Sequence, residues 1–543
     1  MFLSRPAIAA ATLLLAGCAS LPRERGYADA SALVAARVGV APDARTWASP
    51  EAASLPAEPL SAEAAIALAL VHNPRVRETY ARLGLGRAEL EDARRIANPS
   101  FGFDRLRPDG GGSPKITRSL SVGLADLLLL PARKRFAHAE LARLQNEVAA
   151  QLLELSVEVE SAWYEAVGAR QVADLRELVA GAARTSAELA QRFFDAGNIT
   201  RLQLEQERAA ASSARIAATR AAADALRARS TLAGLVGLPA DASWSLSSRL
   251  PAPPDATADA NALTARALEQ RLDLLAARQA VSQREDMLGV TRRWRWLGAV
   301  EVGFEQEREG DEGVSQGPTL SLELPIFNQG QGAAARARAE LIQARAELDA
   351  LALSVRNDAL LGVQALQVAR EIAEAYRTTL IPVREAIVAR TQEEVNYMLI
   401  GVFELILAKR EEFDAYQEYL EAVRDYWLAR TQLRGVVGGV LPDDGADLTP
   451  TIGVEAVLPS APAEMDHGHH GHQPADPHAA HRQGDAATAD PHAGHRTPAP
   501  VQDPHAGHTM PAPPPEGDPR APAADDAEHT EDEHPQHDHG DTP

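Results

Sequence analysis

Fourteen of the sixteen histidines in this 543-residue chain fall after Asp466. Asp466-His467-Gly-His469-His470-Gly-His472 opens the series. Three near-copies of Asp-Pro-His-Ala-X-His then supply His478 and His481, His492 and His495, and His505 and His508. Neutral imidazole beside carboxylate suits divalent Zn, Co, Ni or Cu. Met465 and Met510 are the soft ligands at hand, and the segment has no thiol, which speaks against a dedicated Cu(I) site. Imidazoles strung on a chain rich in Pro, Gly and Asp, with few large apolar residues, cannot offset the entropy of building a core. Weak divalent-metal binding by a disordered tail is expected, and no cofactor is required; the competing reading is a solvated His/Asp spacer. His72 and His138 lie elsewhere and are expected to be ordinary surface or groove residues. Enzyme chemistry finds little support: there is no H-E-x-x-H, G-x-S-x-G, P-loop or Gly-rich dinucleotide fingerprint.

The tail also carries most of the charge. From Leu441 onward, 20 Asp/Glu stand against three Arg, a balance of −17 out of the chain's −22, which leaves −5 for the rest. Acidity of this kind argues against nucleic-acid binding. At the other end, Arg5 and the apolar Ala7 to Ala16 read as a signal peptide too short to span a membrane as a helix. It ends in Leu15-Ala16-Gly17-Cys18, which resembles a bacterial lipobox, and that resemblance implies cleavage before Cys18 and lipidation of its thiol. Ala19 after it is similar to the outer-membrane-sorted pattern. Cys18 is the chain's one cysteine, so the mature protein is expected to hold no disulfide.

The body between these ends is written twice, from about Leu60 to Pro239 and from about Leu263 to Leu441. Each half reads as helix, two alternating strands, proline, very long helix, glycine turn and return helix. In the first half Phe101 and Phe103, then Leu120, Val122 and Leu124, alternate with small or polar residues. In the second, Val300, Val302 and Phe304, then Leu320, Leu322 and Leu324, do the same. Period-two alternation is the strand signature. Four strands cannot close a membrane barrel, the smallest of which have about 8, and lipid tolerates no open sheet edge. The count therefore implies an oligomer sharing one barrel, with the Leu/Val/Phe face toward lipid and the Glu/Ser/Thr/Gly face toward water. Two surface hairpins on a helical protein are the plainer alternative.

Pro131 and Pro325 follow the strand pairs, where a proline suits a helix start. From Pro131 to about Ala196 strong helix formers run without interruption, and Leu141, Leu144, Val148, Leu152, Leu155 and Val159 form one apolar stripe. A partner helix runs from about Gln331 to Leu399, and Pro382 should kink or break it. Gly197 and Gly401 are expected to turn the chain back, each as a residue with positive φ.

In the order of these parts the chain resembles the TolC-type outer-membrane efflux proteins, over about Leu60 to Leu441. Asn73-Pro74 and Asn98-Pro99 are similar to the two Asn-Pro pairs flanking that family's opening helix. Leu324-Pro-Ile-Phe-Asn-Gln-Gly330 is similar to its strand-to-helix joint. Leu127-Leu-Leu-Leu-Pro-Ala-Arg-Lys134 departs from that joint, and Arg271-Leu-Asp-Leu274 has leucine where proline is usual. The resemblance implies a mainly α fold with a membrane β-barrel sector. Three chains would give a twelve-stranded barrel in the outer membrane, four transmembrane strands from each, continuing into a long α-helical periplasmic barrel. It implies a passive conduit rather than an enzyme, working with a periplasmic adaptor protein and an inner-membrane RND pump. The helical tips would dock the adaptor: Gly197, Ile199, Leu399, Gly401, Val402 and Phe403. Asp195, Glu394 and Glu404 lie close to these turns and become aperture acids if the chain trimerises, or are otherwise solvated helix-end charges. The resemblance places the tail in the periplasm, and its histidines tilt the reading toward the heavy-metal RND branch. The expected segments are signal peptide 1–17, lipidated segment 18–59, repeats 60–239 and 263–441 joined by linker 240–262, and tail 442–543. The competing class is a periplasmic coiled-coil lipoprotein, either metal-buffering or an adaptor.

Overall fold

The computed structural model describes residues 27–40, 59–439, 441 and 451, with breaks at 108, 111–112, 240–241, 255–258, 297, 299 and 310–312. The expected signal peptide, Cys18 and the histidine tail lie outside the described residues.

The first half begins with α1 (Tyr27–Val38), which the sequence left inside the lipidated segment; it buries Ala30 and Val34. Helices α2 (Ala62–His72) and α3 (Pro74–Arg94) meet at Asn73. The Asn73 side chain accepts from Arg75 N at 2.8 Å and donates to the Leu235 carbonyl at 2.8 Å. It thus caps α3 and satisfies an end carbonyl of a distant helix in one residue. Strands β1 (Ser100–Leu106) and β2 (Lys115–Gly123) follow, then α4 (Leu124–Asp195) and α5 (Arg201–Val236). The second half repeats the order with α6 (Ala260–Gln270), α7 (Leu272–Trp294), β3 (Val300–Glu309) and β4 (Val314–Leu322). It ends with α8 (Gln331–Ala375), α9 (Ile381–Asn396) and α10 (Val402–Val437). Here Arg271 stands where Asn73 does. Its guanidinium donates to the Val436 carbonyl at 3.2 Å and pairs with Asp273 at 2.6 Å. The helix breaks without the usual proline because Arg271 itself is extended, with φ −63° and ψ 128°.

Helix α4 has 72 residues and is therefore about 110 Å long. Pro131 does not start it: the helix begins at Leu124, and Pro131 lies inside. The run Leu124-Ala-Asp-Leu-Leu-Leu-Leu130 is made of good helix formers, and it extends the helix back to the strand. Pro382 acts as expected. It occupies the first turn of α9, and a π-helical turn, Tyr376–Leu380, absorbs the break from α8.

The core lies where the two long hairpins pack together. Tyr164 on α4 and Trp427 on α10 stack at 5.2 Å with rings 12° apart, and Trp163 and Tyr426 meet them edge-on. On the same two helices the buried Glu160 carboxylate pairs with the half-buried Arg434 guanidinium. The indoles of Trp163 and Trp427 donate to the carbonyls of Leu60 (2.8 Å) and Pro251 (2.7 Å). These bonds pin the connecting segments, so Leu246 and Leu250 of the linker are buried. Thr451, ten residues past the expected end of the repeat, donates its backbone N–H (2.9 Å) and hydroxyl (2.8 Å) to the Leu250 carbonyl. Packing against the body thus reaches beyond Leu441. Among the described residues no helix is long and apolar enough to cross a membrane.

Candidate conduit surfaces: the sheet and the hairpin tips

The four strands form one antiparallel sheet in the order β1-β2-β3-β4. Its register sorts the side chains. Phe101, Leu120, Phe304 and Pro318 sit in one row, and Val122, Val302 and Leu320 in the next. Phe101, Leu120, Val302, Phe304, Leu320 and Leu322 are all exposed. The opposite face carries Gly102, Ser119, Glu305 and Gly317 in one row, with Ser121, Gly303 and Thr319 beside it. The alternation legible in the sequence therefore becomes one apolar face and one face of hydroxyls, glycines and carboxylates. Leu124 and Leu324 fall outside the strands, Leu124 opening α4 and Leu324 following β4. Within the chain β1 and β4 each pair on one side, so both outer edges are open among the described residues.

Far along the helices, both hairpins turn by the same device. At the first tip Gly197 N–H bonds to the Phe194 carbonyl (2.9 Å) and Asn198 N–H to the Phe193 carbonyl (2.8 Å), with Gly197 at φ +78°. This is a Schellman closure, in which one residue must be left-handed. Thr200 then starts α5 with a reciprocal capping box to Gln203. At the second tip the matching bonds run from Met398 N–H to Val395 O (2.9 Å) and from Leu399 N–H to Glu394 O (3.0 Å). The left-handed residue is Met398, at φ +58°. The expectation that Gly401 supplies positive φ is corrected: its φ is −83°, and it is the N-cap of α10, in the place of Thr200. The true register matches Gly197-Asn-Ile-Thr200 with Met398-Leu-Ile-Gly401. Ile400 is then the partner of Ile199, a match the sequence reading missed by anchoring on the glycines. The identical Ile at the same distance from the cap was the available signal.

Ile199, Ile400, Val402 and Phe403 are half-buried, while Tyr397, Met398 and Leu399 stand well out of the surface. Phe403 meets Phe193 across the hairpins, edge to face at 6.1 Å. Behind this contact Glu207 on α5 accepts from Ser186 on α4 (2.7 Å) and from Arg410 on α10 (2.6 Å), so three helices are tied at one carboxylate. Neither Phe193 nor Glu207 was marked by the sequence, because each acts through a residue far away in the chain. Within the second hairpin the Tyr416 hydroxyl donates to the Glu385 carboxylate, and burial, reinforced by that bond, raises its pKa above the ordinary value. Asp195 accepts from Gln191 at 2.7 Å, and the Glu404 side chain lies over Gly401. Glu394 is exposed, its carbonyl used in the turn. Among the described residues no three His, Cys, Asp or Glu converge to hold a metal ion. His138 is within 3.0 Å of the Arg94 guanidinium, and His72 is half-buried where α2 ends.

No family model matches the chain. It is 24% identical over 394 residues to the cobalt-zinc-cadmium resistance protein CzcC of Cupriavidus metallidurans, covering 70% of this chain and 91% of that protein. The crystal structure of CusC, a protein that forms a transmembrane channel, superposes with a TM-score of 0.59 at 15% identity, covering 72% of this chain and 99% of that one. The outer-membrane channel OprN superposes with a TM-score of 0.60 at 17% identity, covering 73% and 92%. Fold, internal duplication and sequence similarity agree: the chain has the fold of the channel proteins CusC and OprN and is similar in sequence to CzcC.

Proposed function

We propose that three copies of this chain form the outer-membrane conduit of a tripartite efflux pump, passing substrates outward without a catalytic step. The observation that carries this is the sheet: four antiparallel strands with an exposed apolar face and two open edges. In hydrocarbon those edges must be paired, and β1 of one copy against β4 of the next closes a twelve-stranded barrel when three copies meet. The helices supply independent support. Ile342, Leu353, Leu360, Leu361, Val368 and Ile372 are exposed along α8, and Val383 and Ile387 along α9. So long an apolar stripe is what the helices of a neighbouring copy would cover.

The helical part would then stand in the periplasm, with the tips at Gly197, Ile199, Leu399, Gly401, Val402 and Phe403 meeting a periplasmic adaptor. The half-buried apolar residues and outstanding Leu399 suit a packing contact better than a charged one. Similarity to CzcC favours heavy-metal cations as the substrate, delivered by an inner-membrane RND pump. Lipidation at Cys18 would add a second attachment to the outer membrane. Native mass in detergent should be that of three protomers, and the protein should give conductance in planar bilayers. A stable monomer that needs no detergent would refute the conduit and favour a periplasmic adaptor or metal-buffering lipoprotein.

A further inference from the structure

The strand register also separates charge by face. Arg105, Arg118 and Arg308 all project from the apolar face, whereas Asp104, Glu301, Glu305, Glu307 and Glu309 all project from the other. The apolar face carries no carboxylate on any of the four strands. The acidic face holds Lys115, which pairs with Glu307 at 2.6 Å. The arginines are not scattered. On the apolar face Arg105, Ile116, Arg308 and Val314 form the row nearest the hairpin loops, and Phe103, Arg118, Gln306 and Gln316 form the next. All three guanidiniums are exposed, and none pairs with a carboxylate among the described residues. Arg118 donates to Gln306 at 3.4 Å.

Depth gives this order a meaning. From Val300, in the row nearest the helices, to Arg308 is eight residues, or about 26 Å along the strand. With the usual strand tilt of about 40° that becomes about 20 Å of membrane depth. Arginine facing lipid is costly at the midplane and nearly free at the interface, so this row belongs at the boundary of the hydrocarbon on the side away from the helices. A guanidinium there meets lipid head groups, and its planar fork matches phosphate oxygens in pairs.

We propose that Arg105, Arg118 and Arg308 form a seat for the phosphate groups of lipids in the outer leaflet, nine guanidiniums around the closed barrel. This rests on the trimeric conduit reading, which decides that the apolar face looks outward. The test is native mass spectrometry of the full-length protein in detergent with added diphosphoryl lipid A, phosphatidylcholine or inorganic phosphate. Wild type should retain lipid A at least tenfold more than phosphatidylcholine, and the Arg105→Gln, Arg118→Gln, Arg308→Gln triple variant should lose most of that preference. Glu305→Gln with Glu307→Gln, on the opposite face, should keep it. Should the triple variant not fold, rising salt must strip lipid A from wild type while leaving phosphatidylcholine in place. Equal retention by the triple variant, salt-insensitive lipid A binding, or equal protection by phosphate alone would overturn the proposal. A trimer without lipid A preference sinks this inference and spares the conduit; a detergent-free monomer sinks the conduit and this inference with it.

Discussion

Alanine at Gly237 should be far more damaging than alanine at Gly197, although both glycines end a long helix with positive φ. Gly237 has φ +84°, and a Cβ built there would lie 2.7 Å from His72 C, 2.8 Å from His72 O and 2.9 Å from Asn73 N. These are backbone atoms at the joint that Asn73 wedges against the end of α5, so they cannot swing aside. Left-handed backbone costs an alanine about 1–2 kcal/mol, and forcing a methyl into packed backbone adds about 1–3 kcal/mol. The expected loss at Gly237 is therefore about 2–5 kcal/mol. At Gly197, φ is +78° and nothing lies within 4 Å of the added Cβ. That substitution should cost about 1–2 kcal/mol, from the dihedral angle. Circular dichroism melts of the two purified variants in one detergent give the comparison. Gly237→Ala should melt well below Gly197→Ala, which should stay near wild type. Equal shifts, or a larger one at Gly197, would refute the idea that the joint is wedged and the tip is open. The same pair bears on function: a bulky charged residue at Gly197 should leave the protein folded yet abolish export if the bare turn is the docking surface.

Three further outcomes are expected. Cys18→Ser should abolish lipid labelling in cells, and undiminished labelling would exclude Cys18 as the anchor. Truncation before Asp466 should leave the native mass at three protomers but remove most Zn²⁺ or Ni²⁺ binding in calorimetry. Because neutral imidazole is the ligand and protons compete for it, tail affinity should fall as pH drops through about 6.5; a truncated protein that binds as many ions would make the tail a spacer. Asp195→Asn with Glu404→Gln should lower the cation preference of single channels in bilayers, and an unchanged reversal potential would show these acids to be ordinary solvated charges.

The strands and long helices were legible because period-two and apolar-stripe patterns survive translation from sequence to structure. Phe101, Leu120, Val302 and Leu320 share a face because strand geometry compels it. What stayed hidden depends on partners remote in the chain. Nothing local marks Phe193 as the mate of Phe403, or Leu60 and Pro251 as the acceptors of two indoles. The second tip was misread for a different reason. Glycine is the usual sign of a left-handed residue, but the bonds closing the turn fix that position, and Met398 accepts it. The start of α4 was misplaced because proline is favoured in a first turn yet is not confined to it.

The two joints built on Asn73 and Arg271 answer the same demand with different chemistry. Each must give a donor to a carbonyl at the end of a return helix, Leu235 in one half and Val436 in the other. What the two halves hold in common at this place is an acceptor to be satisfied, and the residue that satisfies it was free to diverge. The neutral amide of Asn73 is indifferent to dissolved ions. The guanidinium of Arg271, braced by Asp273 at 2.6 Å, sits in a field that ions screen. Brine should therefore loosen the second half of the molecule at its joint before it reaches the first, giving near-duplicate halves unequal responses to salt.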